Sequence, residues 1–253
     1  MQFSIITVVK NDKKNILKTI KSLRKQTYKN FEHIVFDGSS SDGTLEIIKK
    51  NTYKKMKFFS EKDNGIYQAI NKSIKLAKGK FIFLLHSGDQ IISKHFLKKI
   101  NDLLDTNDYD LISGNILFYR YKNNKINITR SWRKPITKRN KFTFLKIPHT
   151  SLFIKKNLIN KIGLYKLKYK ISSDIEFLIR LNFSNENLKY YYYDYFFIFM
   201  KSGGLSTSIN NYKQKLFEDL DILKHYFGYQ FIFIYIYKVL SKIPDYLFKN
   251  NNN

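Results

Sequence analysis

The sequence predicts an α/β fold, a mostly parallel central sheet with helices on both faces. Two observations carry this. Over roughly the first 110 residues, short apolar strands alternate with amphipathic stretches at helical spacing. The 253 residues are 43% hydrophobic and 17% aromatic, enough to bury a substantial core in one large domain and incompatible with global disorder.

Gln2–Val9 reads as the first strand and Phe31–Asp37 as the second. Between them Ile16, Ile20 and Leu23 fall on one helical face, with Asn11 or Asp12 placed to cap that helix. Asp42 opens a short helix through Lys50, and Lys57–Glu61 is a third strand. Ile66–Lys78 follows as a helix, with Ile66, Ala69, Ile70, Ile74 and Ala77 at helical spacing. Lys80–Leu85 is a fourth, buried strand that runs into His86-Ser87-Gly88-Asp89. Ser93 caps the next helix, which turns Phe96, Leu97, Ile100, Leu103 and Leu104 inward. After Asp110 the pattern becomes strand-rich, over Leu111–Tyr121 and Ile126–Trp132, and then basic and irregular from Arg133 to Lys146. Ser151–Ile154 is a strand, a helix follows Lys155, Ser173–Asn182 is a helix and Lys189–Phe199 a strand. The chain ends in helices and a frayed tail, Lys249–Asn253.

The absence of cysteine excludes a disulfide scaffold, a thiolate zinc site and a cysteine nucleophile. Met1–Lys10 lacks the basic start and apolar stretch of a secretory signal. No apolar run approaches the ~18 residues of a spanning helix, so a cytoplasmic protein is expected. Net charge is +26, from 46 basic and 20 acidic residues, a surface that attracts anions. The lysines are dispersed rather than clustered, in a chain rich in Lys, Asn, Ile, Tyr and Phe throughout, so compositional drift accounts for the charge as well as an anionic partner does. A nucleic-acid-binding protein would instead concentrate its basic residues in a stripe with stacking aromatics.

Ligands of open α/β sheets bind beyond the carboxyl ends of the strands. Polar residues recur at four such ends: Thr7 to Asn11, Asp37-Gly38-Ser39-Ser40-Ser41-Asp42-Gly43-Thr44, Glu61-Lys62-Asp63-Asn64-Gly65, and His86-Ser87-Gly88-Asp89. Single loops of this composition are ordinary turns; four in register predict one cleft. Neither a Gly-x-Gly-x-x-Gly turn nor a Gly-x-x-x-x-Gly-Lys-Ser/Thr loop is present, against a dinucleotide-dependent dehydrogenase and a phosphate-loop NTPase.

Ser4-Ile5-Ile6-Thr7, Asp37–Thr44, Ser60–Tyr67, Asn71-Lys72, Ala77-Lys78-Gly79 and Leu85–Asp89 resemble, in order and spacing, the family 2 glycosyltransferases of GT-A fold. The likeness continues through His149–Phe153, Ile162-Gly163, Ser173-Asp174 with Arg180, and Gly203–Thr207, and is strongest to the bacterial branch that builds O-antigen and capsule. It implies an inverting transfer of a sugar from a nucleotide-sugar donor, most commonly a UDP-sugar, to a glycan or isoprenoid-linked glycan. Residues 1–210 would form the GT-A domain, with a nucleotide-binding half to about 110 and an acceptor half beyond it.

In similar enzymes the residue at Asp37 accepts a hydrogen bond from the nucleotide base. Thr7 and Asp63 line the nucleoside pocket, and Val9, Asn11, Ser39, Gly65, Ser87 and Gly88 stand on the donor-binding loops. Asn71 and Lys72 fall near the diphosphate, a buried polar contact being the plainer role for Asn71. Asp89 matches the last carboxylate of the family's metal motif, implying a divalent metal, Mn2+ or Mg2+, on hard oxygen ligands. Here the motif reads His-Ser-Gly-Asp, where many relatives carry two acidic residues. Asp174 matches the catalytic base at the start of a helix, and Glu176 stands two residues on as a weaker alternative. A carboxylate at a helix N-terminus also has a purely structural use. His149 and Arg180 are the acceptor-side candidates, and Gly203-Gly204 reads as a closing loop or a plain turn.

Residues 211–253 are a helical extension whose aromatic run Tyr226–Tyr237 precedes Lys238 and Lys242. Three uses fit: segment 226–242 lies on the inner face of the cytoplasmic membrane, packs on the domain, or joins two subunits as a homodimer. The rival functions are a sugar nucleotidyltransferase, whose Gly-rich, Arg-containing first loop is replaced here by Val8-Val9-Lys10-Asn11, and a catalytically inactive basic scaffold.

Overall fold

β1 (Phe3–Val9) runs between β2 (Phe31–Asp37) and β4 (Phe81–Leu84), parallel to both, and β3 (Met56–Ser60) extends the parallel set beyond β2. In this computed structural model all residues are described except 123, 124, 134–141, 185, 186, 204–210 and 242–253. The second half of the sheet is mixed. β8 (Leu152–Lys155) is antiparallel to β4, and β6 (Leu111–Lys122) is antiparallel to β8 and to β7 (Lys125–Trp132). β9 (Tyr190–Lys201) runs parallel to β6, and the two-residue β5 (Gln90–Ile91) closes the order antiparallel to β9.

Both faces are covered, and the pleat decides which residue goes where. Along β1, Phe3, Ile5 and Val9 enter the face covered by α1 (Ile16–Arg24), α2 (Thr44–Lys50) and α4 (Phe96–Thr106), while Ile6 and Val8 enter the other. That other face is covered by α3 (Ile66–Leu76), α5 (Lys156–Ile162) and α6 (Ser173–Phe183), which bring Ile70, Ile74, Ile159, Phe177 and Leu181. Phe83 stacks on Phe153 with ring centroids 4.3 Å apart, and Phe96 and Phe197 close around the pair. Each such side chain contributes about 1.5–3 kcal/mol by leaving water. Gly79, in the turn into β4, is fixed by close approach: a Cβ there would stand 2.4 Å from the Ser4 nitrogen.

Several boundaries differ from expectation for local reasons. Neither Asn11 nor Asp12 caps α1 with its side chain; the Asp12 carbonyl accepts from the Asn15 and Ile16 N–H groups, and the helix begins at Ile16. α3 stops at Leu76 because Ala77 is already extended, at φ −65° and ψ 135°. Of the basic stretch Arg133–Lys146, Thr143–Lys146 forms a 3-10 turn, and 134–141 lies outside the described residues, as do Gly204–Thr207, Lys242 and the tail Lys249–Asn253.

The C-terminal extension shares a core with the rest. α7 (Tyr212–Phe227) and α8 (Phe231–Leu240) place Ile222, Leu223 and Ile234 in one cluster with Leu145, Tyr169 and Ile179.

Candidate active site

The parallel strands β1 to β4 end on one edge of the sheet, and their loops are bonded to one another. Asp37 closes β2, fully buried, with Oδ2 accepting from the Ser40 N–H (3.1 Å) and the Ser60 hydroxyl (2.7 Å) and Oδ1 from the Ser40 hydroxyl. The carboxylate thus shapes its own loop before any ligand arrives. Ser39 (φ 56°) and Asn11 (φ 51°) are the non-glycine residues with positive φ among those described, and both belong to the predicted donor loops. Such conformations cost on the order of 1 kcal/mol or more and persist only where the surroundings enforce them. Here the enforcement is visible: the Asn11 N–H donates to Ser40 Oγ (2.8 Å), and Asn11 Oδ1 accepts from the Ser41 N–H (2.9 Å). Beside it the Val9 carbonyl accepts from the Gly38 N–H (2.9 Å). A Cβ on Gly38 would stand 2.2 Å from Asp63 Oδ2, so glycine is what lets the third loop close on the second. Asp63 Oδ1 accepts from the N–H of Gly65, which heads α3.

The predicted donor residues divide. Asn11, Ser39, Asp63 and Gly65 line the loop edge, while Thr7 lies beneath it, fully buried, its hydroxyl donating to the Leu85 carbonyl (2.7 Å) and meeting His33 Nε2 (2.9 Å). Asn71 is joined at both polar atoms to the Tyr165 backbone (2.7 and 3.0 Å), the buried polar contact its type also allows. Lys72 pairs with Glu61 at 2.5 Å and lies over the Phe36 ring.

The fourth loop is held by bonds to several other elements. The Gly88 N–H donates to Thr19 Oγ1 (3.0 Å), Tyr119 donates to the Gly88 carbonyl (2.7 Å), and Ser87 Oγ donates to Asp12 Oδ2 (2.8 Å). Asp89 Oδ1 accepts from the Lys201 N–H (3.1 Å), whereas Asp89 Oδ2 is buried without a hydrogen-bond partner. Burial pushes the Asp89 carboxyl up to about 8, with the nearby Asp12 charge adding and the Lys201 and His86 backbone N–H groups opposing. The Lys201 stem crosses Gly88, and its Nζ stands 3.7 Å from Asp12 Oδ1.

Asp174, in the first turn of α6, is linked to this same loop through His149. Because β8 is antiparallel to β4, the 3-10 turn His149–Ser151 that leads into β8 arrives at the carboxyl end of β4. His149 Nδ1 lies 3.2 Å from Asp174 Oδ2, and the His149 ring centroid is 5.8 Å from that of His86. The Tyr67 hydroxyl donates to the Ile171 carbonyl (2.7 Å) and lies 3.1 Å from Asp174 Oδ1. Burial works to raise the Asp174 carboxyl, but the His149 hydrogen bond and charge, with Lys215 and Lys238 behind them, hold it well below the ordinary carboxylate value. Burial pushes His86 down to about 3, which keeps that imidazole neutral.

Arg180 stands apart from this pair. Its guanidinium grips Glu176 through two bonds (3.0 and 2.9 Å) and donates to the carbonyls of Ile162, Gly163 and Leu164. Glu176, 1% exposed, also accepts from the Tyr226 hydroxyl (2.7 Å) and points away from Asp174. Both hold α6 to its neighbours.

Sequence reasoning passed over Tyr67, His86, Asp12 and Lys201. The first two stand inside motifs already noted, next to residues singled out there. Lys201 had no local signal, since it reaches Asp89 only through the pairing of β5 with the end of β9.

Known proteins resemble this chain to different degrees. Residues 4–159 match the profile of Glycosyl transferase family 2. A "PGL/p-HBAD biosynthesis glycosyltransferase" of Mycobacterium bovis is 28% identical over 212 residues, 82% of this chain and 80% of that protein. The Escherichia coli "UDP-Glc:alpha-D-GlcNAc-diphosphoundecaprenol beta-1,3-glucosyltransferase WfaP" is 38% identical over 101 residues, 39% of each chain. Among solved structures, S. aureus TarS 1-349 in complex with UDP-GlcNAc superposes with a TM-score of 0.69 at 19% identity, covering 96% of this chain and 76% of that one. The mannosyltransferase PcManGT from Pyrobaculum calidifontis, in complex with GDP-Man and Mn2+, gives 0.63 at 11% identity over 96% of this chain and 75% of its own.

Proposed function

The chain belongs to glycosyl transferase family 2 and has the GT-A fold, and from that premise we propose that it moves a sugar, with inversion, from a UDP-sugar to a hydroxyl of a lipid-linked glycan in surface-polysaccharide assembly. Transfer from a nucleotide sugar is the family's chemistry; UDP and the lipid-linked acceptor are our extension, supported by the UDP-GlcNAc bound to TarS and by the diphosphoundecaprenol acceptor in the name of WfaP. One observation carries the reading: Asp174 pairs with His149, whose ring lies beside that of His86 at the head of the loop that ends in Asp89.

Asp174 takes the proton of the acceptor hydroxyl as its oxygen bonds to the anomeric carbon and the bond from that carbon to the nucleoside diphosphate breaks. Its depressed pKa keeps the carboxylate charged at neutral pH, and the hydroxyl becomes acidic enough to yield the proton only late, when the new bond is nearly formed. His149 holds one carboxylate oxygen and the Tyr67 hydroxyl lies 3.1 Å from the other, so the base is oriented before the acceptor enters. The concavity lined by Asn64–Gln68, Leu167, Tyr169 and Lys170 opens beside Tyr67 and suits that entry. On the donor side, the 38–42 loop, Asn11 and Asp63 offer backbone and carboxylate groups to a nucleoside, with Asp37 bracing the loop from within.

Among the described residues no three His, Asp or Glu side chains gather as a ready-made cation site. Asp89, whose unpartnered buried Oδ2 is a hard oxygen, would nonetheless hold a divalent metal on a bound diphosphate. When bound, such a cation neutralises charge on the departing diphosphate. Lys201, beside Gly88 and Asp12, adds a fixed positive charge to the same loop.

A panel of sugar nucleotides, scored for binding and for nucleoside diphosphate release with and without Mn2+ or Mg2+, tests the assignment. Asp174→Asn should lose about a hundredfold or more in turnover, as general-base removal does, and retain donor binding. Unchanged turnover in that variant removes Asp174 from the chemistry.

A further inference from the structure

We propose that α8 docks the protein on an anionic lipid surface through its outward apolar face. The purpose of such docking rests on the lipid-linked acceptor above; the binding itself does not.

The helix is turned inside out. Its ten residues contain one charged side chain, Lys238, and that side chain points inward: it is 4% exposed, with Nζ 2.6 Å from Asp219 Oδ2 on α7. Ile234, on the same inner stripe, joins the core with Ile222 and Leu223. The outer stripe carries Ile232 (53% exposed), Phe233 (76%), Ile236 and Leu240, led by Tyr229. An amphipathic helix facing water has the opposite arrangement. The orientation is locked, because turning α8 over would strip a buried ion pair and leave its charges unpaired. A contiguous exposed apolar stripe held in place this way marks a surface with a non-aqueous partner.

Charge selects the partner. A second copy carries the same +26 and repels the first, whereas an anionic bilayer attracts it. Lys213 and Lys224 are exposed on α7, which pairs with α8. Geometry selects the mode. Ten residues span about 15 Å, half of a bilayer core, and among the described residues no helix is long and apolar enough to cross. α8 therefore lies along the interface, where the exposed rings of Tyr229 and Tyr237 find headgroup depth. The site is coupled to this hairpin: Glu218 of α7 accepts the backbone N–H groups of Lys170, Ile171 and Ser172, each at 2.9 Å, just ahead of Asp174.

Co-sedimentation of the full chain with phosphatidylcholine vesicles, with and without phosphatidylglycerol, tests this. Binding should require phosphatidylglycerol, weaken with salt, and fall about tenfold or more in Phe233→Ser/Ile236→Ser, as loss of two buried apolar anchors implies. Circular dichroism and donor hydrolysis should be unchanged, since both positions face outward. A single Phe233→Trp chain should show a blue shift in emission on adding the same vesicles. Failure of the full chain to bind either vesicle overturns the proposal, as does undiminished binding by the double variant. A dimer in solution that the double variant dissociates overturns it in favour of a second copy. Vesicle binding without turnover of any donor supports docking and rejects the enzymatic reading alone.

Discussion

His33 sits in the middle of β2 with no exposure, its Nε2 2.9 Å from Thr7 Oγ1 and its Nδ1 3.2 Å from the Tyr53 hydroxyl. Burial pushes it down to about 3 from 6.5. Between those values the unfolded chain binds the proton that the folded chain refuses, so the contribution is intact above about pH 6.5 and is lost as pH falls toward 3. For this one group the loss between pH 6.5 and 5 is about 2 kcal/mol. Urea unfolding at pH 7, 6 and 5 should show that slope. His33→Gln should be less stable at pH 7, by about 1–3 kcal/mol for disturbed buried hydrogen bonds, yet lose roughly half of the slope, since His86 is pushed down in the same way. An unaltered slope in the variant would show that His33 does not set it. His33 also marks a limit of legibility. Asp37, Asp63, Asp89 and Asp174 stand out in the sequence because carboxylates at strand and helix ends have a local signature. Residues that act through register, such as His33 under Thr7 or Lys201 against Asp89, have none.

At the scale of elements, α7 braces the approach to the site through Glu218. Glu218 satisfies three consecutive N–H groups at the approach to α6, which would otherwise be left to water or stay unpaired. Glu218→Gln keeps the size but removes the charge and one acceptor oxygen. It should cost about 1–3 kcal/mol in unfolding free energy and lower kcat by about tenfold through misplacement of Asp174, with KM for the donor unchanged because the donor loops lie on β1 to β4. A fall in donor affinity with kcat intact would show that Glu218 acts elsewhere. The elements themselves were largely legible, for a reason visible in β1 and α3. Strands buried on both faces read as apolar runs, and α3 carries Ala69, Ile70 and Ile74 at the spacing that enters the core. β5 was not legible. Two residues carry no period, and Gln90–Ile91 becomes a strand only because β9 ends alongside it and Lys201 bonds Asp89.

For the whole molecule the open question in the sequence is whether 211–253 is an appendage, and the packing gives a definite expectation. A detachable extension would leave 1–210 with a closed core, but Leu145, Tyr169 and Ile179 face Ile222, Leu223 and Ile234 across that division. Polar contacts cross it too: Tyr226 donates to the buried Glu176, and Tyr169 to Asp221. Ending the chain at residue 210 therefore uncovers an apolar face of α6, leaves the N–H groups of 170–172 without Glu218, and takes Lys215 and Lys238 away from Asp174. The full chain should unfold in one cooperative transition, as a shared core requires. The shortened chain should melt at least about 10 °C lower, since several kcal/mol are lost at a few degrees per kcal/mol in a chain of this size, and should release no nucleoside diphosphate above background. Calorimetry and donor hydrolysis on the two chains decide it: a shortened chain with the full chain's Tm and turnover would make α7 and α8 a separate module, and the coupling of lipid surface to Asp174 would lose its mechanical link.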